Sequence, residues 1–294
     1  MNEKNLRENS IVIVGKLVEV EKRIGNNSKN GKEYVSVDAT VQSVINGVVN
    51  EFKVNFYANM LKQDGTKSKL AESYCGLEDL KGRKIQIDGE IRENRYFSVK
   101  ANQMVSAQLL TGRFVKGVQE DTPDTATFVV GGIYLREPVE KVNKNGDVYR
   151  YDVLVGVPNQ DFSNMTNITL HINPLHREVL NSILSIYAPG NTVQFKGSLS
   201  FTSEQVIVTD ENTAFGEPMT RTYTNRQSNY YIQGGSNPLT GEAEYSEEDI
   251  KTLLNAYKQR DVELQAKAAE NTDTAATVQT TKTPVVTRRQ ASLI

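Results

Sequence analysis

The sequence predicts a mainly β protein: two tandem five-stranded barrels, each with a helix between its third and fourth strands. Three observations predict it. Two blocks of sequence recur in the same order in both halves, apolar residues alternate with period two over short segments, and a helical signal interrupts each half at the same point.

The repeat comes first, because a missed repeat misassigns a whole fold. Residues 82–91, GRKIQIDGEI, align without a gap on residues 190–199, GNTVQFKGSL, pairing Gly82 with Gly190, Gln86 with Gln194, Gly89 with Gly197 and Ile91 with Leu199. Upstream, KNGKEY at 29–34 matches KNGDVY at 144–149, and each follows a β-like stretch with an early glycine, IVIVGKLVEV and TFVVGGIYLRE.

In the first half, residues 11–21 alternate as a strand, and the polar stretch RIGNNSKNG forms a loop to residue 32. Val35, Val37, Ala39 and Val41 then share one face of a second strand. Asn46-Gly47 lies between two β-rich runs. A type I′ turn needs φ > 0 at both central residues, so this pair marks a hairpin into a third strand, 48–56. A weak helix at 66–80 precedes a fourth strand at 83–91 and a fifth at 96–105, with RENR as the turn between them.

The second half offers strands near 127–137, 148–157 and 167–172, a helix at 174–187, and strands at 191–201 and 205–209. Pro174 suits a first helical turn, and Leu180, Ile183, Leu184 and Tyr187 share a stripe. The order β-β-β-α-β-β thus occurs twice. That is the order of the OB-fold, a five-stranded Greek-key barrel, and the full helix argues against an SH3-like barrel. The expected domains are 1–115, a linker at 116–126, 127–215, and a C-terminal extension at 216–294 that is mostly flexible. Within the extension, Ser246 and Asp249 form a capping box for a short helix near 247–260, with Ile250, Leu253, Leu254 and Tyr257 on one stripe. Residues 264–294 lack aromatics and read as disordered.

Composition narrows the functional classes. A single cysteine, Cys75, excludes an internal disulfide. The polar start MNEKNLRENS lacks a signal-peptide core, and no apolar run reaches bilayer length, so a cytoplasmic location is expected (host cytoplasm for a viral protein). His171 and His176 have no cysteine partner and do not form a zinc site; they flank the start of the second helix. Phosphate-loop and nucleophile-elbow motifs are missing, so no enzyme activity and no cofactor are expected. Residues 1–115 hold 18 Lys+Arg against 14 Asp+Glu, and residues 116–216 hold 7 against 12. A polyanion should therefore prefer the first barrel.

An OB barrel binds single strands across strands 2 and 3, flanked by its first and last loops; bases stack on aromatics and cations track phosphates. The first half supplies candidates at three places. They are Lys22, Arg23, Lys29, Lys32 and Tyr34 around the first loop; Phe52, Lys53 and Tyr57 on strand 3, with Phe56 beside them; and Arg92, Arg95, Tyr96 and Phe97 around the last turn. The second half has Tyr134, Tyr149, Tyr151, Phe195 and Phe201 in matching places but fewer cations.

On this doubled pattern over residues 11–210 and its tail, the chain resembles tandem-OB single-stranded DNA-binding proteins, particularly those of bacteriophages. The resemblance implies single-stranded DNA as partner, with RNA as the alternative strand, and a role in replication, recombination or repair. Bacterial members of the wider class recruit replication or recombination proteins through an acidic, Phe-terminated tip. This chain ends RRQASLI, and its acidic segment at 242–249 with the following helix is a candidate substitute. OB barrels also serve as interaction modules in viral assemblies, which is the rival function class.

Overall fold

The computed structural model describes residues 7–28, 30–210 and 219–279. In the first half, strands β1 (Glu8–Asn26), β2 (Glu33–Ile45) and β3 (Val48–Asn59) lead to helix α1 (Lys69–Cys75), then β4 (Lys84–Ser98) and β5 (Gln103–Gly117). In the second, β6 (Thr125–Val142), β7 (Val148–Pro158) and β8 (Met165–Ile172) lead to α2 (Arg177–Ile186), then β9 (Thr192–Asp210) and β10 (Met219–Gly235). Helix α3 (Glu247–Gln279) follows.

The first five strands close on themselves. β1 pairs antiparallel with β2 and with β4, β2 with β3, β4 with β5, and a short parallel contact, Val54 with Leu110 and Asn55 with Thr111, shuts the barrel. The second half traces the same circuit. β6 pairs with β7 and β9, β7 with β8, β9 with β10, and Tyr231 meets His171 in parallel between β10 and β8. The halves join through an antiparallel β1–β6 ladder from Glu8–Gly131 to Val14–Thr125.

The register explains the repeated glycines. Ile11 lies opposite Gly89 on β4, and Phe128 lies opposite Gly197 on β9. A Cβ on Gly89 would sit 2.2 Å from the Thr111 carbonyl oxygen, and one on Gly197 would sit 1.9 Å from that of Tyr231. Each repeat therefore needs glycine where its fourth strand crosses tightly over its fifth. The Asn46-Gly47 turn has φ 52° and 78°, as a type I′ hairpin demands.

The alternation at 35–41 buries Val35, Val37, Ala39 and Val41 as expected. α1 plugs the first barrel with Ala71 and Tyr74; the Tyr74 hydroxyl donates to the Arg113 carbonyl at 2.9 Å. Burial is continuous across both halves. The main core runs from Ile11 to Ile232, and Phe52 of β3 meets Phe201 of β9, which in turn meets Tyr230 of β10.

Several elements depart from the sequence reading. β1 continues to Asn26, so Lys22 and Arg23 lie on a strand rather than in a loop. β4 and β5 extend to Ser98 and from Gln103, so the turn lies at 99–102 and RENR is strand. Both hairpins outrun the usual strand length because cross-strand pairing outweighs their polar composition. Residues 205–209 continue β9, and the fifth strand of the second half is β10, within the extension expected to be mostly flexible. α2 starts after Pro174, and Leu184 of its expected stripe is exposed.

α3 begins with the expected capping box, the Asp249 N–H donating to Ser246 Oγ at 3.1 Å. It then runs beyond residue 260, through part of the segment read as disordered; 280–294 lie outside the described residues. Its stripe is covered. Leu253 and Tyr257 are buried with Ile133, Met165 and Tyr245, so this face is not offered to a partner. Among the described residues no helix is long and apolar enough to cross a membrane, and no group of three His, Cys, Asp or Glu side chains is arranged to hold a metal ion.

His171 is buried on β8, and His176 is exposed at the N-terminal cap of α2. Its Nδ1 accepts the Tyr230 N–H at 3.1 Å, and its Nε2 lies 3.8 Å from Asp152. Burial above all, and then the Arg150 guanidinium, push the imidazole from 6.5 down to about 3, although a hydrogen bond with Asn229 pulls the other way.

Two predictions follow from the packing. Gly89→Ala and Gly197→Ala should each lower stability by about 1–3 kcal/mol in urea unfolding. Gly76→Ala, whose Cβ would meet nothing within 4 Å, should change it little. The second concerns pH. The folded state holds His171 neutral, so its contribution is full above the ordinary value of 6.5 and is lost as pH falls toward about 3. Between pH 6.5 and 4 the wild type should lose about 1.4 kcal/mol per pH unit more than His171→Gln. Parallel pH profiles for the two proteins would remove His171 as the titrating group.

Candidate nucleic-acid interface

The outer face of β1–β2–β3 is set by the strand period. With the inward positions apolar, the residues between them point to solvent. Across the three strands this places Arg23 beside Ser36 and Tyr57, Gly25 beside Tyr34 and Asn59, and Thr40 beside Lys53. Tyr34 lies over Gly25, where a Cβ would come within 3.1 Å of its hydroxyl oxygen. The Tyr34 and Tyr57 rings pair at 5.2 Å with a 30° tilt, and Tyr57 remains 43% exposed. A missing side chain at residue 25 thus makes room for a flat, two-ring platform on the barrel surface.

The charge around it is mixed. Glu19, Glu21 and Asp38 share the face with Arg23 and Lys53. Arg23 reaches Glu21 at 3.3 Å, and Asn55 donates to Asp38 at 2.8 Å. This is not a basic sheet. An unpaired strand would gain more from ring stacking here than from summed charge.

The other candidates divide by environment. Lys32 and Lys53 are exposed, and Lys29 lies outside the described residues. Lys22 points to the opposite side, toward Glu78 at 3.3 Å. Phe52, expected at the interface, is fully buried, because strand alternation turns it and Phe56 into the barrel. Arg92 pairs with Glu90 at 3.1 Å on the strand.

Arg95 is not at a groove mouth. Its guanidinium forms a two-point pair with Asp261 of α3, at 2.5 and 2.6 Å, and lies 4.7 Å above the Tyr257 ring. The Asp261 hydrogen bond holds the Arg95 pKa above its usual value, burial partly opposing it. Tyr96 is exposed on the opposite face of the same hairpin, and Phe97 is half-buried. In the second half, Tyr134 and Phe195 are core, and Tyr149 is exposed beside Arg150.

Sequence reading missed two features. The buried Glu93 carboxylate accepts from Ser106 at 2.8 Å, from the Tyr257 hydroxyl at 2.6 Å and from the Asn167 N–H at 3.2 Å. It ties β4 to β5, to α3 and to β8 of the other half. β10 also brings Arg221, Tyr223 and Arg226 onto a hairpin with β9, Arg226 opposite Ser203. The alternation of Thr, Tyr and Arg over 220–226 was the signal for a strand, hidden by the change in composition.

Comparison with known structures places the fold. The chain is similar to the wild-type single-stranded DNA binding protein from Thermus aquaticus, with TM-score 0.50 and 13% identity over 83% of this chain and 99% of that one. It also matches the Plasmodium falciparum SSB in complex with ssDNA, with 13% identity and TM-score 0.27, covering 40% of this chain and 100% of that one. At such identity the likeness to the Thermus aquaticus protein is one of fold. No curated protein matches the sequence. A family model does: YorF matches residues 7–270, and the chain belongs to the YorF family.

Proposed function

We propose that the chain is a single-stranded DNA-binding protein. It coats unpaired strands during replication, recombination or repair without reading their sequence, and it is a binding protein rather than an enzyme. It acts as two OB units in tandem, residues 1–117 and 125–235, joined by a linker at 118–124, a little shorter than the 116–126 expected from sequence because β5 and β6 extend into it. The second unit extends past 215 because β10 completes its circuit of pairings.

One observation carries the reading: the exposed Tyr34–Tyr57 platform on the outer face of a closed five-stranded barrel. That face is where OB barrels take single strands, and paired rings accept any base because every base has a π-face. The fold shared with a protein named as single-stranded DNA binding supports it. Arg92, Arg95 and Lys22 contribute little, since each already faces a carboxylate.

Fluorescence anisotropy with labelled oligo-dT, the same length of duplex DNA and an RNA strand tests this. Oligo-dT should bind well above duplex at moderate salt. Tyr34→Ala and Tyr57→Ala should each weaken binding by about 1–3 kcal/mol with little change in salt dependence. Equal binding of oligo-dT and duplex would overturn the proposal, and tighter RNA binding would reassign the partner.

A further inference from the structure

We propose a second nucleotide-binding segment in the groove between the first barrel and the β9–β10 hairpin. Its ligand is the backbone of the same unpaired strand, so the inference rests on the function proposed above. The groove holds about 190 Å³ and is lined by Lys53 and Glu51 of β3, Leu109 of β5, and Phe201, Ser203 and Arg226 of the hairpin.

Three observations support it. First, it continues the platform. Tyr57 and Lys53 share the outward face of β3, four residues or about 13 Å apart, so a strand leaving Tyr57 along β3 enters the groove.

Second, its cations are free. Among the described residues, Arg23, Arg92, Arg95, Arg113, Lys22 and Lys84 all have a carboxylate within reach, whereas neither Lys53 nor Arg226 forms a salt bridge. Glu51 lines the same groove, so the pair leaves one net positive charge there. A larger cleft of about 520 Å³ around Arg7, Arg92 and Arg113 lacks this property. Its arginines are held by Glu90 and by the Asn159 and Gln160 carbonyls.

Third, the groove offers apolar surface to solvent. Leu109 is 45% exposed, and Phe201 beside it is half-buried. Lys53 and Arg226 can each pair with a phosphate while a base covers Leu109. The wall is also fixed in place. The Phe201 N–H donates to the Asn50 side chain at 2.9 Å, and the Phe201 ring packs on Phe52, so the hairpin cannot swing away from β3 without opening the core.

The test is the slope of log affinity against log salt for oligo-dT, with wild type, Lys53→Ala, Arg226→Ala, the double variant and Arg226→Lys. Each alanine should reduce the slope by ~0.7, and the double variant should lose about twice that. Arg226→Lys should restore the slope. Photo-crosslinking of thiothymidine-substituted oligo-dT should label peptides carrying Leu109 or Phe201.

All variants lie on the surface, and their far-UV circular dichroism should match wild type. No single-strand binding by wild type would sink both proposals. Weakening by Tyr34→Ala and Tyr57→Ala, with unchanged slopes for the Lys53 and Arg226 variants, would sink the groove alone. Displacement of oligo-dT by poly-glutamate at equal charge would mark the groove as a general polyanion trough and overturn its assignment to nucleotides.

Discussion

A strand has two edges, and β1 has three partners. Everything else in the molecule depends on how that is resolved. Over residues 11–14 it pairs with β4 on one edge and β6 on the other; from residue 16 onward it pairs with β2. β6 divides its length in the same way among β1, β9 and β7. The two halves of the chain are thereby fused at β1 and β6, and one core serves both. The ladder hydrogen bonds would be costly to leave unmade in that buried position. The relative placement of the halves is therefore part of the fold, and the groove between β3 and the β9–β10 hairpin follows from it.

The buried Glu93 acts on top of this frame. A carboxylate without solvent must be fully engaged, or it destabilises what surrounds it. Here its partners come from three further elements, which selects one placement of α3 over others that would cover the same apolar surface. The reciprocal amide contacts do similar work with neutral groups. Asn9 donates to the Ile91 carbonyl at 2.7 Å and accepts from its N–H at 2.9 Å, extending a ladder with a side chain.

Much of the architecture was legible because it rests on local rules. Period-two alternation at 35–41, the Asn46-Gly47 turn, the Ser246–Asp249 capping box and the paired glycines 89 and 197 each reflect a constraint that acts within a few residues. What was not legible depended on distant partners. Nothing near Arg95 announces Asp261, and nothing near Phe52 says that Phe201 will cover it. Charged and aromatic residues on strands form one population in the sequence, whereas the fold sorts them by which side of the sheet they occupy. That sorting put Tyr34 and Tyr57 outside and Phe52 inside. β10 was missed because a polar strand held by its hairpin partner has the composition of a linker.

The β1–β6 ladder has a further property. Ile11 lies opposite Phe128, and each lies opposite the corresponding glycine of its own repeat. The ladder is thus centred on a pair of equivalent positions and approximates a two-fold axis within one chain. An edge with that symmetry is complementary to itself. Severed at the linker, either half would present a strand able to form an isologous contact with its own copy, at the register it now uses for the other half. The covalent link makes the unlike pairing intramolecular, and so favours it at any dilution at which the like pairings would come apart.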